Sequence, residues 1–320
     1  MAIISRNNRI IKTNSNSSFK ITITVTAGGT FTLPLRSGFT YKFIVDWGDN
    51  TSSAIYAYND PNITHTYANS GDYQLEMSGI LQSWYFNNSG DKLKLKTIDN
   101  WGNTGFTNLA NAFYGCSNLI SIPDSPLTGN ISSLGFINTF VNTAIGSIPT
   151  KFLINQPNIT RFNSTFSGCL NITQIPNDLF KYCTGTTNLT GTFLNCTSLT
   201  AIPTDLYRYN TAITSMSTTF QGCLALTSIP EDLFYYNNLI TDYSSCFIYS
   251  LNVVLPTRLF NLSNLSIVTN FNNFIGQSTT SNNVTGTIQD IWNYTTATSV
   301  AAFRNTINIA NYASIPAAWK

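Results

Sequence analysis

The sequence predicts a multidomain chain of two parts: a β-sandwich near the N-terminus, then an α/β solenoid built from repeats of about 27 residues. Two observations carry this. From Phe19 to Met77, short stretches of apolar and polar alternation are separated by Gly-, Asp- and Asn-bearing turns, the pattern of half-buried strands. Beyond that a single word recurs, Phe-x-x-Cys-x-x-Leu-x-x-Ile-Pro-x-x-Leu-Phe, clearest at Phe220, Cys223, Leu226, Ile229, Pro230, Leu233 and Phe234. Its preceding copies place their prolines at Pro203 and Pro176, so both steps equal 27 residues.

Residues 1–18 are polar and rich in Asn and Ser, and read as an arm that anchors the chain to an assembly. Residues 19–90 form the predicted sandwich. Phe19-Lys-Ile-Thr-Ile-Thr-Val25 alternates strictly, and Tyr41-Lys-Phe-Ile-Val45 runs into a turn at Asp46-Trp47-Gly48-Asp49. The repeat occupies residues 91–320. It has a degenerate copy around Phe140, Ile145 and Pro149, and looser ones around Phe274 and Phe303, making about eight units. Within a unit, Leu-x-x-Ile reads as a short strand. The proline then takes the first helical position, where its missing N–H costs nothing, and Pro-x-Asp-Leu-Phe reads as a short helix.

Trp47-Gly48-Asp49, His65-Thr66-Tyr67 and Gly71-Asp72-Tyr73 together resemble the PKD family of immunoglobulin-like β-sandwiches, with Asn50 where that family usually has glycine. The Phe-x-x-Cys-x-x-Leu-x-x-Ile-Pro core resembles the BspA-like leucine-rich repeats of surface proteins. The resemblances imply a PKD-like domain followed by a leucine-rich-repeat solenoid, and a role in adhesion, with copies also found in phages of gut bacteria.

Composition narrows the function classes. Charged residues are 9% of the chain and the net charge is +2, with no basic cluster beyond Lys92, Lys94 and Lys96. Nucleic-acid binding is therefore not expected, because phosphate recognition needs clustered cations. No apolar run is long enough to span a bilayer, so no membrane insertion is expected. Four of the six cysteines share one repeat position (Cys116, Cys169, Cys196, Cys223) and read as small buried residues rather than a disulfide framework. With a single histidine, His65, and no CxxC pair, no metal site is expected, and no cofactor motif appears.

Two rows are candidate binding residues. Asp178, Asp205 and Asp232 recur two residues after the prolines. A row of carboxylates can hold calcium or a sugar, but an acid in a first helical turn is also what the helix dipole favours, and Lys181 and Arg208 stand three residues on as ion-pair partners. Tyr182, Tyr209 and Tyr236 form the second row. Tyrosines can stack on sugar rings, yet each follows a core leucine by three residues, which on a helix points to core or edge packing. His65 can be read as a general base, but lies in a strand pattern where packing is the ordinary role. No catalytic residues are nominated.

The expected function is a non-enzymatic structural or adhesion protein on a virion surface, as a phage head fibre, decoration or tail-associated protein. Its expected partners are other virion proteins through the N-terminal arm, and a host-surface glycan or protein; a homo-oligomer would suit such an appendage. A bacterial cell-surface adhesin whose leader was lost is the alternative, and a polysaccharide-degrading enzyme the third.

Overall fold

The computed structural model describes residues 17–277 and 282–320. The proposed anchoring arm, residues 1–18, thus falls outside the described residues except for Ser17 and Ser18.

Seven strands build the N-terminal part: β1 (Phe19–Val25), β2 (Thr30–Thr32), β3 (Tyr41–Asp46), β4 (Ser52–Ile55), β5 (Thr64–Thr66), β6 (Gly71–Leu81) and β7 (Leu95–Asn100). Five form an antiparallel sheet in the order β4-β3-β6-β1-β7, while β2 and β5 pair as a separate ribbon. The alternation of β1 sends Phe19, Ile21, Ile23 and Val25 inward, and its register sets Ile21 against Leu75 and Ile23 against Tyr73. The Asp46–Thr51 turn is closed by side chains: Gly48 N–H donates to Asp46 Oδ1 (3.0 Å) and Thr51 N–H to Asp49 Oδ1 (3.1 Å). Asn50 takes the left-handed conformation (φ 68°), which Asn tolerates better than most residues.

The sandwich expectation needs correction. Besides the five-stranded sheet there is only the two-stranded ribbon, three residues a side, and the fifth strand of the sheet comes from beyond residue 90. An immunoglobulin-like, PKD-like sandwich over residues 19–90 is not what forms.

The α/β leucine-rich-repeat solenoid is likewise corrected. Among the described residues there is no α-helix; helical geometry is confined to short 3-10 turns, the longest being Leu262–Ile267. Between β7 and β8 (Val254–Leu255) no strand is formed either, and the one remaining strand, β9 (Thr285–Gly286), pairs with β8 in parallel. No described helix is long and apolar enough to cross a membrane. The physical reason lies in the segment after each proline. There the chain makes i→i+3 bonds, Leu206 N–H to Pro203 O (3.3 Å), Arg208 N–H to Asp205 O (3.1 Å) and Asn210 N–H to Tyr207 O (3.0 Å). These are successive tight turns. A segment of roughly eight residues carrying Thr and Asn is too short and too poor in helix formers to nucleate an α-helix.

The 27-residue spacing instead produces ladders of contacts between turn-built units. Isolated parallel bridges run Arg161, Asn188, Ser215, Asp242, Asn270, Thr298. Beside them Thr214 N–H donates to Thr187 O (2.8 Å), Thr241 N–H to Thr214 O (2.9 Å) and Thr269 N–H to Thr241 O (2.8 Å). Inside, the first aromatic of each unit stacks on the next: Phe113, Phe140, Phe166, Phe193, Phe220 and Phe247 have centroids 5.4–5.7 Å apart and near-parallel planes. The apolar residues from Phe19 to Trp319 form one connected core.

All six cysteines are free and buried. They are not merely apolar fillers. Cys169, Cys196 and Cys223 direct Sγ at the carbonyls of Phe140, Phe166 and Phe193, 3.1–3.4 Å away, and Ser250 makes the same bond to Phe220 O. Burial pushes the Cys169, Cys183 and Cys223 thiols up to about 12, and Cys116, Cys196 and Cys246 also upward. An unfolded thiol releases its proton near pH 9, whereas the folded chain holds these protons well beyond it. Their contribution to stability is complete below about pH 9 and is lost as pH rises towards 12, at about 1.4 kcal/mol per pH unit per thiol. Thermal melts from pH 8 to 11 should show this decline, and replacing Cys169, Cys196 and Cys223 together by Thr, the residue already at 143, should make it clearly shallower, since Cys116, Cys183 and Cys246 remain. An equally steep decline in the triple variant would show that the thiols are not its source.

Candidate functional site

The turns after the prolines bring the two candidate rows together on one edge. Leu179, Leu206 and Leu233 are buried, and the aromatics that follow them, Phe180, Tyr207 and Phe234, are buried too. Two residues further on, Tyr182, Tyr209 and Tyr236 emerge with 44%, 48% and 38% of their surface exposed. The packing expected from the i,i+3 spacing does not hold for them because that spacing shares a face only on an α-helix, and here the chain makes turns.

Each ring has a cation beside it. Lys181 Nζ lies 5.8 Å from the ring centroids of both Tyr182 and Tyr209, so it bridges two units. Arg208 is 5.1 Å from the Tyr236 ring, and Arg258 is 5.6 Å from that of Tyr235. The aspartates balance these cations: Asp178 pairs with Lys181 and Asp205 with Arg208, each at 3.4 Å. Asp178, followed by the Tyr182 and Tyr209 rings, holds the Lys181 ammonium above its ordinary pKa. Asp232 differs, since Tyr235 stands where the cation would be. Arg258, from the next unit, reaches back to it with two parallel bonds of 2.5 Å. The acidic row is therefore spent one residue at a time on cations, without converging. Arg258 is the member that the sequence did not reveal as a partner; the available signal was its place in the Asp column one step beyond Asp232.

His65 lies away from this edge. Its Nε2 is 2.7 Å from Asp49 Oδ2, and its ring stacks on Trp47 (4.9 Å, 13°) with Tyr67 edge-on at 4.7 Å. Burial pushes the Asp49 carboxyl up, but bonds from Thr51 and His65 outweigh it and hold the group below its ordinary value. The arrangement joins β5 to the Asp46–Thr51 turn as packing.

No family model, no curated protein and no solved structure matches this chain. Together with the absence of α-helices among the described residues and the five- and two-stranded sheets of the N-terminal part, this overturns the resemblance to BspA-like leucine-rich-repeat proteins and to PKD domains, and removes the family link to phages that came with it.

What the edge offers is a row of rigid, half-exposed aromatic rings interleaved with cations whose charge is locally neutralised. Exposed ion pairs of this kind contribute little to stability. Asp205→Asn should therefore shift the melting temperature by less than about 2 °C by circular dichroism. A much larger drop would assign that carboxylate to the scaffold.

Proposed function

We propose that this chain is a non-enzymatic binding protein that engages surface glycans through the row Tyr182, Tyr209 and Tyr236. The observation that carries this reading is the repetition of a half-exposed tyrosine at each of three successive units, with Lys181 shared between two of them. Tyrosine provides a broad apolar face and a polar tip at a small cost in side-chain entropy. Asp178, Asp205 and Asp232 offset Lys181, Arg208 and Arg258 in number, so the row suits a largely neutral polysaccharide better than a polyanion.

The test is a glycan array probed with the intact chain and with Tyr209→Ala. The intact chain should label a defined set of glycans, and the variant, folded by circular dichroism, should lose about tenfold or more in signal. No glycan labelled above background, or full signal in the variant, would overturn the reading. Labelling of whole cells that protease treatment abolishes would assign a protein ligand instead.

The same proposal includes a place of action, the surface of a phage particle, as a head fibre, decoration or tail-associated protein. Its support is compositional: few charges, and a surface supplied by Asn, Thr and Ser, as befits a displayed scaffold. Gold-labelled antibody against the chain should decorate particles. Bare particles beside labelled bacteria would assign the cell surface.

A further inference from the structure

A concave site lies apart from the tyrosine row, among the loops of the N-terminal part. The segment after β2, the β4–β5 connection and the segment after β6 enclose a cleft of about 450 Å³. That is within the roughly 300–1,000 Å³ of small-ligand sites. Leu33, Pro34 and Phe86 supply an apolar wall, and Tyr58, 44% exposed, stands at its rim.

Arg36 also lines this cleft. Its guanidinium is clamped between two rings, 4.7 Å from the centroid of Phe39 and 4.2 Å from that of Tyr85. Nε donates to Ser83 Oγ (3.1 Å) and Nη2 to Asn108 Oδ1 (2.5 Å). Both acceptors are neutral. Among the described residues no carboxylate pairs with Arg36, although Lys20, Lys94, Lys96, Lys181, Arg208 and Arg258 each have one. The carboxylate that does line the cleft, Asp91, is already engaged: Oδ1 is 2.6 Å from Lys94 Nζ, and Oδ2 accepts the Thr32 N–H at 2.7 Å. A half-buried arginine held rigidly by rings and neutral acceptors carries an uncompensated charge that costs desolvation energy. Burial accordingly lowers its pKa, against the opposing effect of Tyr85 and Tyr41, yet a guanidinium remains a cation. Such a group is prepared for an anionic oxygen pair.

We propose that this cleft binds a carboxylate-bearing sugar, a uronic or sialic acid residue, with its carboxylate on Arg36 and its ring against Tyr58 and the Leu33–Pro34 wall. The cleft has room for a sugar ring rather than a long chain, and apolar and aromatic faces suit the C–H face of a pyranose. The proposal is independent of the tyrosine row.

Saturation-transfer difference NMR on the intact chain tests it, with glucuronate and N-acetylneuraminate as probes and glucose and acetate as controls. At least one acid sugar should bind, and glucose and acetate should each bind about tenfold or more weakly than that sugar. Arg36→Gln should abolish the preference for the acid over glucose. Arg36→Lys, which keeps the charge but loses the planar fork, should weaken binding by about fivefold. Should the Arg36 variants fail to fold, Tyr58→Ala decides: Tyr58 is exposed, so the variant should melt as the parent does yet bind about fivefold more weakly. Tyr209→Ala should leave the acid-sugar affinity unchanged, which separates failure here from failure of the glycan row. Glucose or acetate binding as tightly as the acid sugar, full affinity in Tyr58→Ala, or no transfer to either acid would overturn the proposal.

Discussion

The constraint on which the rest depends is the pairing of backbone groups in a chain with very little regular secondary structure. Buried N–H and C=O groups need partners. Helices supply them within a segment and sheets supply them between neighbouring strands. From Trp101 to Val253 this chain has neither, so each unit obtains its partners from its own i→i+3 turns and from the neighbouring unit about one repeat away. Side chains complete the pairing where the backbone cannot. Asn210 Nδ2 donates to Phe180 O (3.0 Å) and Cys183 O (2.8 Å), and Asn237 repeats the pattern one unit on, donating to Tyr207 O and Asn210 O. Thr192 and Thr219 do the same through Oγ1, each to a carbonyl 30 residues back and to another three residues back. The threonine, cysteine and asparagine that fill these positions are small enough to lie inside and polar enough to bond there.

Units of this kind need covered ends, because an end unit has a neighbour on one side only. At the N-terminal end β7 belongs to the antiparallel sheet and also carries the first rungs: Ile98 N–H donates to Ser121 O, and Ile120 N–H to Lys96 O, both at 3.0 Å. Phe19, Trp101 and Phe106 close the apolar interior there. Gly102 permits the approach. With φ at +62° and the Ser18–Phe19 backbone directly against its Cα, no side chain fits. At the other end Phe303 N–H donates to Trp319 O, and the Trp319 indole lies over Phe303 and Phe271. The connected core from Phe19 to Trp319 follows from these two closures.

Much of this was legible in the sequence, but less of its geometry. The strands β1 and β3 were visible because Phe19–Val25 and Tyr41–Val45 alternate with period two, which only a pleated strand turns into one buried face. Four of the six cysteines were identifiable as buried from their shared position. The secondary structure of the repeat was not. A proline followed by Asp-Leu-Phe has the same signature at the first turn of a helix as in a series of tight turns, and the difference lies in i→i+3 bonds that no residue type announces. The same ambiguity governs the tyrosines: helical spacing puts Tyr182, Tyr209 and Tyr236 on the packed face, whereas turn geometry exposes them. Arg36 gave no sequence signal beyond an isolated cation in the apolar stretch from Phe31 to Phe39, since its rings and acceptors come from as far away as Asn108.

Both candidate sites follow from how the chain treats charge. Only 9% of residues are charged, so most of the surface is neutral and each ionic group has a local setting that can be specified. Along the tyrosine edge, cations and aspartates cancel in pairs on exposed side chains, where water screens them and each pair adds little to folding. Arg36 is treated differently. It is half-buried, held between two rings and left without a counter-ion, an arrangement that costs folding energy and orders the side chain in advance. Unlike an exposed lysine, whose charge water screens, a guanidinium held between rings gains little from solvent and adds nothing obvious to folding. The guanidinium held beside an accessible cleft is what the proposed acid-sugar site rests on.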